Sequence, residues 1–108
     1  MAKDRLSGKL AVILHADIAG STALVQQDEQ LAHERIQDAF RRFSETIEKY
    51  QGRILELRGD ALLAKFERAS DAVAATLAFQ ADHTYLISRL KDALRPTIRV
   101  GIPWAKSL

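Results

Sequence analysis

Apolar residues run without a break from Leu10 through Ala11, Val12, Ile13 and Leu14, and the run stops near an acid, Asp17, before Gly20 interrupts the chain. With no polar alternation, Lys9 to Ile18 reads as a central strand buried on both faces. Beyond Ala19-Gly20-Ser21-Thr22, a short helical turn through Val25 leads to a long helix from about Asp28 to Tyr50. Its residues Leu31, Ala32, Ile36, Ala39, Phe40, Phe43, Ile47 and Tyr50 recur at spacings of three and four, which leaves Arg35, Arg41, Arg42 and Lys49 off the stripe. Gly52 is placed to end that helix as a left-handed cap.

Arg53 to Arg58 (RILELR) alternates apolar and polar residues, and Ala61 to Phe66 (ALLAKF) is apolar again, with Gly59-Asp60 between them. A glycine followed by a polar residue predicts a two-residue hairpin of type II′, with Asp60 at its tip. Ser70 is a natural N-cap for a second helix, in which Ala72, Val73, Thr76, Phe79 and Leu86 point inward, with a break near His83-Thr84 and a stop at Pro96. Thr97 to Ile102 (TIRVGI) reads as a last strand. The order β-α-β-β-α-β predicts an α+β, ferredoxin-like sheet with both helices on one face. Residues 1–8 read as a flexible N-terminus, residues 9–102 as the folded unit and residues 103–108 as an unpatterned tail.

Composition narrows the function classes. The 108 residues form one domain at most, large enough for one modest core. With no cysteine, disulfides, thiolate metal sites and cysteine nucleophiles are excluded. Sixteen basic and fourteen acidic residues, interspersed, leave a charge of +2, too weak a field to call for nucleic acid or a membrane as partner. The N-terminus has no apolar signal core and no run is long enough to span a bilayer, so a cytoplasmic location is expected.

The candidate chemistry centres on the acids. Asp17 lies where a buried strand opens into Gly20-Ser21-Thr22, whose backbone N–H groups suit a phosphate at a helix entrance. Asp60, at the hairpin tip, is a possible partner, because the first strand and the hairpin lie side by side in this topology. Each signal has a plainer reading. Asp17 alone is a solvated cap, Asp60 a turn residue, and Gly20-Ser21-Thr22 a capped helix start. His15 is expected packed and hydrogen-bonded within its strand, and His33 and His83 have no spacing for a metal cluster. Trp104 is an unpatterned tail aromatic.

Asp17-Ile18-Ala19-Gly20-Ser21-Thr22, followed about forty residues later by Leu57-Arg58-Gly59-Asp60-Ala61-Leu62, resembles the class III nucleotidyl (adenylate/guanylate) cyclases. That family carries a D-I-x-G signature closed by Phe or Ser and then Ser or Thr, and a later Gly-Asp hairpin. The resemblance runs over nearly all of residues 9–102 and includes the Asp71-Ala72-Val73 helix start and the Ile98 to Ile102 strand. It implies cyclisation of a nucleoside triphosphate, ATP or GTP, to a 3′,5′-cyclic nucleotide plus pyrophosphate for intracellular signalling, with two Mg²⁺ or Mn²⁺ ions. Asp17 and Asp60 match the metal-binding aspartates, Ile18 the position lending a backbone carbonyl, and Gly20, Ser21 and Thr22 the phosphate loop. Glu56 matches a base-reading position, where a carboxylate suits the N–H edge of guanine; its plainer reading is an edge-strand residue paired with Arg58 or Lys65. The resemblance also implies a head-to-tail homodimer, with the metal aspartates from one copy and the base-reading residue from the other.

Family domains continue beyond the matched last strand to an asparagine and an arginine that steady the transition state. Here Pro103 and Ala105 stand where a His/Asn and a glycine are expected, and the asparagine and arginine have no counterpart in these residues. A C-terminally incomplete cyclase domain is therefore expected, with a non-catalytic nucleotide-binding or dimerisation module as the alternative.

Overall fold

Along the first strand, Val12–Ala19 (β1), every second side chain is buried: Val12, Leu14, Ala16 and Ile18 face the core. The computed structural model describes residues 11–92 and 94–102. The remaining elements are α1 (Ser21–Gln27), α2 (Glu29–Lys49), β2 (Arg53–Leu57), β3 (Ala61–Phe66), α3 (Ala69–Ser88) and β4 (Thr97–Gly101). The expected flexible N-terminus at residues 1–8, the tail at residues 103–108 and Trp104 lie outside the described residues.

The four strands form one antiparallel sheet in the order β2-β3-β1-β4, the expected ferredoxin-like arrangement. β1 is central, but it is not buried on both faces. Its odd-numbered residues half-face solvent, and His15 is exposed rather than packed. The unbroken apolar run hid this alternation because Ile13 and Ala19 are apolar yet lie on the uncovered side. The core instead joins one sheet face to the helices, with Leu62, Ala64 and Phe66 of β3 meeting Phe40 and Phe43 of α2 and Phe79 of α3. Phe43 and Phe79 stack with ring centroids 4.3 Å apart, and burying each such ring contributes about 2–3 kcal/mol.

α2 begins where Asp28 accepts a hydrogen bond from the Leu31 N–H at 3.0 Å, and buries Ala32, Ile36, Ala39, Phe40, Phe43 and Ile47 as the spacing predicts. Its end differs from expectation. The left-handed residue is Gln51, at φ 72°, while the Gly52 N–H donates to the Ile47 carbonyl at 2.8 Å and the Gln51 N–H to that of Glu48 at 3.2 Å. This is a Schellman ending with glycine one place late. Gly52 is needed for space: a Cβ there would sit 2.6 Å from both Ile47 Cγ2 and the Phe66 ring.

The hairpin closes with the Arg58 N–H donating to the Ala61 carbonyl at 2.8 Å, leaving Gly59 and Asp60 as its two-residue tip. Gly59 does not take the positive φ of a II′ turn; among the described glycines only Gly20 does. The register instead slips between Ile54 and Glu56, and Leu55 is the extra residue of a bulge.

α3 departs furthest from its sequence reading. It starts at Ala69 with no side-chain cap, so Ser70 is inside the helix, and it runs unbroken through His83-Thr84 to Ser88, well before Pro96. Its buried face is Ala72, Ala75, Phe79 and His83, whereas Val73 and Leu86 are exposed. Alanine on every side erases the stripe from the sequence. His83 belongs to the core face because its Nε2 meets the Pro96 carbonyl at 2.8 Å. The segment after α3 is fastened by Arg35, which bonds both Asp92 oxygens and the Leu94 carbonyl.

Candidate functional site

Strand parity sets the site. With Ala16 and Ile18 turned to the core, Asp17 falls on the open face of the sheet, its side chain one-third exposed at 33%. Its register partners are Ala61 on β3 and Arg99 on β4. Arg99 grips the carboxylate with both arms, Nε to Oδ1 at 2.9 Å and Nη2 to Oδ2 at 3.1 Å. This hydrogen-bonded guanidinium holds the Asp17 carboxyl below the usual carboxylate range. The sequence reading missed Arg99. The signal was present in Ile98-Arg99-Val100, where Arg99 has the outward parity on the strand that this topology sets beside β1.

Asp60 immediately precedes Ala61, the residue opposite Asp17, so the two acids belong to neighbouring strand ends. Asp60 lines a cavity of about 250 Å³ together with Ser21, Val25, His33, Ile36 and Gly59. Asp17 is not among its lining residues. The hairpin tip and the entrance to α1 thus share a space, and His33, which the sequence singled out for nothing, borders it. His33 lies three positions before buried Ile36 on α2, a spacing that sets it on the same flank.

The Ile18 side chain is buried at 5% exposure, so this residue has only its backbone to offer a ligand. Gly20 takes φ 66° and ψ 36°, the left-handed conformation, and its carbonyl accepts from the Leu24 N–H at 3.2 Å to open α1. This turn releases the chain from β1 into the helix, and Ser21 and Thr22 fall in the first turn, where backbone N–H groups have no partner within the helix. Neither serine nor threonine caps α1 through its side chain.

Glu56 is across β3 from His15: both register against Leu63, and the three residues line a separate cavity of about 160 Å³ with Arg58. The Glu56 carboxylate is already bonded to Arg58 at 2.6 Å, the plainer of its two expected roles. Among the described residues no three His, Cys, Asp or Glu side chains converge on one point. The candidate donors are two hard carboxylates, Asp17 and Asp60, with the Ile18 carbonyl between them in sequence. Such a set would suit a small divalent ion that keeps waters or phosphate oxygens as its other ligands rather than an all-protein cage. No helix among the described residues is long and apolar enough to cross a membrane.

No protein-family model matches the chain. In sequence it is 31% identical over 106 residues to "Putative adenylate cyclase 3" of Rhizobium meliloti (strain 1021), covering 94% of this chain and 18% of that protein. It is similar to the solved adenylate/guanylate cyclase/hydrolase from Silicibacter pomeroyi, at 30% identity and a TM-score of 0.73 over 86% of this chain and 55% of that one. The adenylyl cyclase CyaB from P. aeruginosa shares the fold at a TM-score of 0.67 and 22% identity, over 87% of this chain and 55% of that one. The chain thus spans less than a fifth of the curated relative and about half of each solved relative.

Proposed function

Because the chain belongs to the class III adenylate/guanylate cyclase family, we propose that it forms the metal- and phosphate-holding part of a site that cyclises a nucleoside triphosphate. The observation that carries this reading is the strand register. Ala61 sits opposite Asp17, so the acid of the D-I-x-G string on β1 is registered against the residue that follows the acid of the Gly-Asp hairpin tip.

Asp17, Asp60 and the Ile18 carbonyl would hold Mg²⁺ or Mn²⁺. Those ions would supply a lowered pKa for the attacking 3′ hydroxyl and charge neutralisation for the departing pyrophosphate. The backbone N–H groups of Gly20, Ser21 and Thr22 orient the terminal phosphates beside the cavity that Ser21 shares with Asp60. Glu56 reads a purine edge after exchanging its Arg58 contact, and in a head-to-tail homodimer it does so for the other copy's site. The uncovered face of the sheet, which bears Asp17, Glu56 and Arg99, supports such pairing.

The test is binding first and turnover second. Calorimetry with non-hydrolysable GTP and ATP analogues and Mn²⁺ is expected to show metal-dependent binding that Asp17→Ala and Asp60→Ala each abolish. Binding that survives both substitutions would sink the reading. A cyclic nucleotide assay on the same proteins then separates a cyclase, which forms product, from a binding module, which does not.

A further inference from the structure

The two long helices share one layer but show solvent different surfaces. On α2 the exposed positions are mostly charged, among them Glu34, Asp38, Arg41, Glu45 and Glu48. α3 has Asp71 and Asp82 as its only acids and no lysine or arginine between Ala69 and Ser88. At about 100° per residue, the line opposite its buried residues Ala72, Ala75, Phe79 and His83 runs through Ser70, Leu77, Ala81 and Ser88. Ala74 and Tyr85 flank that line on one side, Val73 and Thr84 on the other. Leu77 is 65% exposed and Tyr85 59%, and Val73 is exposed with them. Asp71, Asp82 and the closing residue Arg89 all fall on the flank beyond Tyr85, so the outward face itself is free of charge. A helix apolar on every side is ordinarily covered on every side.

We propose that the outward face of α3 is a self-association surface, on which α3 of a second copy packs antiparallel about a two-fold axis level with Phe79. The face is complementary to itself, as such an axis requires. Reversal about that level sets Tyr85 of each copy over the small Ala74 of the other, Val73 beside Thr84, and Leu77 against Leu77 and Ala81. Alanines along the contact let two helix axes approach closely. The charges agree with the same alignment. Asp71 and Arg89 stand at opposite ends of one flank, so an antiparallel pair brings Asp71 of each copy to Arg89 of the other at both ends. Within the chain neither is tightly held: Asp71 is 3.8 Å from Arg68, and Arg89 lies over the Tyr85 ring at 5.6 Å. Asp82, nearer the axis, is turned to Arg42 of its own chain at 3.9 Å. A parallel pair would set like charges together, and antiparallel helices also oppose their dipoles favourably. A face about 30 Å long is at the low end of specific interfaces, so the dissociation constant is expected on the order of 10–100 µM. The surface lies on the far side of the molecule from the open sheet face, and the inference does not depend on the cyclase reading.

Sedimentation velocity from about 5 to about 500 µM tests it on the wild-type chain, Leu77→Lys, Asp71→Arg, Arg89→Asp and the double reversal. The wild type is expected to pass from monomer to dimer across that range, and Leu77→Lys to stay monomeric. Each single reversal should weaken association on the order of tenfold, and the double reversal should restore it. Because the chain has no cysteine, Leu77→Cys with a short bis-maleimide reports the geometry directly: it should link two copies, whereas Glu45→Cys on α2 should not. A wild type that remains monomeric overturns the proposal and leaves this face to a different partner. A dimer that Leu77→Lys leaves intact places association elsewhere, on the sheet face or an edge, and overturns it equally. Failure of the double reversal to restore association, or equal linking through positions 77 and 45, overturns the antiparallel pairing. Melting curves at the lowest concentration establish that every variant compared is folded.

Discussion

His83 donates its Nε2–H to the carbonyl of Pro96 at 2.8 Å, tying the middle of α3 to the chain that enters β4. A carbonyl can only accept, so this contact assigns the tautomer: Nδ1 carries the lone pair and faces Arg42 Nη2 at 3.4 Å. Protonation would turn an N–H against another N–H.

Acid should therefore act on this protein in two separate steps. Burial, together with the Arg42 charge, pushes the His83 imidazole below its ordinary value of 6.5, outweighing Pro96, Asp82 and Asp38, which favour the charged form. The unfolded chain then binds the extra proton first. This part of the stability is present above about pH 6.5 and declines as pH falls through and below that value. Asp17 and Asp92, lowered by Arg99 and Arg35, contribute stability that is lost only below their unfolded value of 3.8. Urea unfolding at pH 7.5, 5.5 and 4.5 should show the first decline, and His83→Gln should flatten it. Losing the imidazole should itself cost about 1–3 kcal/mol, since it strands a buried carbonyl.

The end of α2 offers a paired test of opposite sign. Gly52→Ala forces a methyl against Ile47 and Phe66 and should destabilise by about 1–3 kcal/mol. Gln51→Gly relieves a left-handed glutamine and should stabilise by about 1 kcal/mol. Chemical denaturation midpoints measure both, and equal effects from the two would contradict the geometry.

Capping gives a smaller, cleaner number. Asp28→Ala removes the acceptor for the Leu31 N–H and should cost about 1 kcal/mol, while Ser70→Ala, inside α3, should cost under about 0.5 kcal/mol.

Glu56 separates stability from recognition. Its bond to exposed Arg58 is a surface pair, so Glu56→Lys should change folding free energy by less than about 1 kcal/mol. If the carboxylate reads the base, the same substitution should lower the ratio of GTP-analogue to ATP-analogue affinity, measured by competition. An unchanged ratio would leave Glu56 as an edge-strand residue.

Much of the architecture was legible because local periodicity and topology agree. The spacing of Leu31 to Ile47 marked α2, Asp28 announced its cap, and the βαββαβ order selected the sheet. What escaped the sequence was decided by parity and distance. Ile13 and Ala19 disguised the open face of β1, alanines on all sides of α3 hid which face Phe79 would choose, and a histidine predicted buried proved exposed while another took the core. At the candidate site Asp17, Asp60 and the Gly20 turn could be marked from motifs alone. Arg99 could not, since its partner lies 82 residues away and their meeting depends on β4 docking beside β1.

That docking also bears on how the molecule is made. Of the four described strands β1 is synthesised first yet lies inside the sheet, and both of its neighbours, β3 and β4, follow it, β4 the later of the two. Translation must therefore reach Gly101 before β1 has a neighbour on each side. Until then its apolar backbone is a natural substrate for chaperones that grip extended segments.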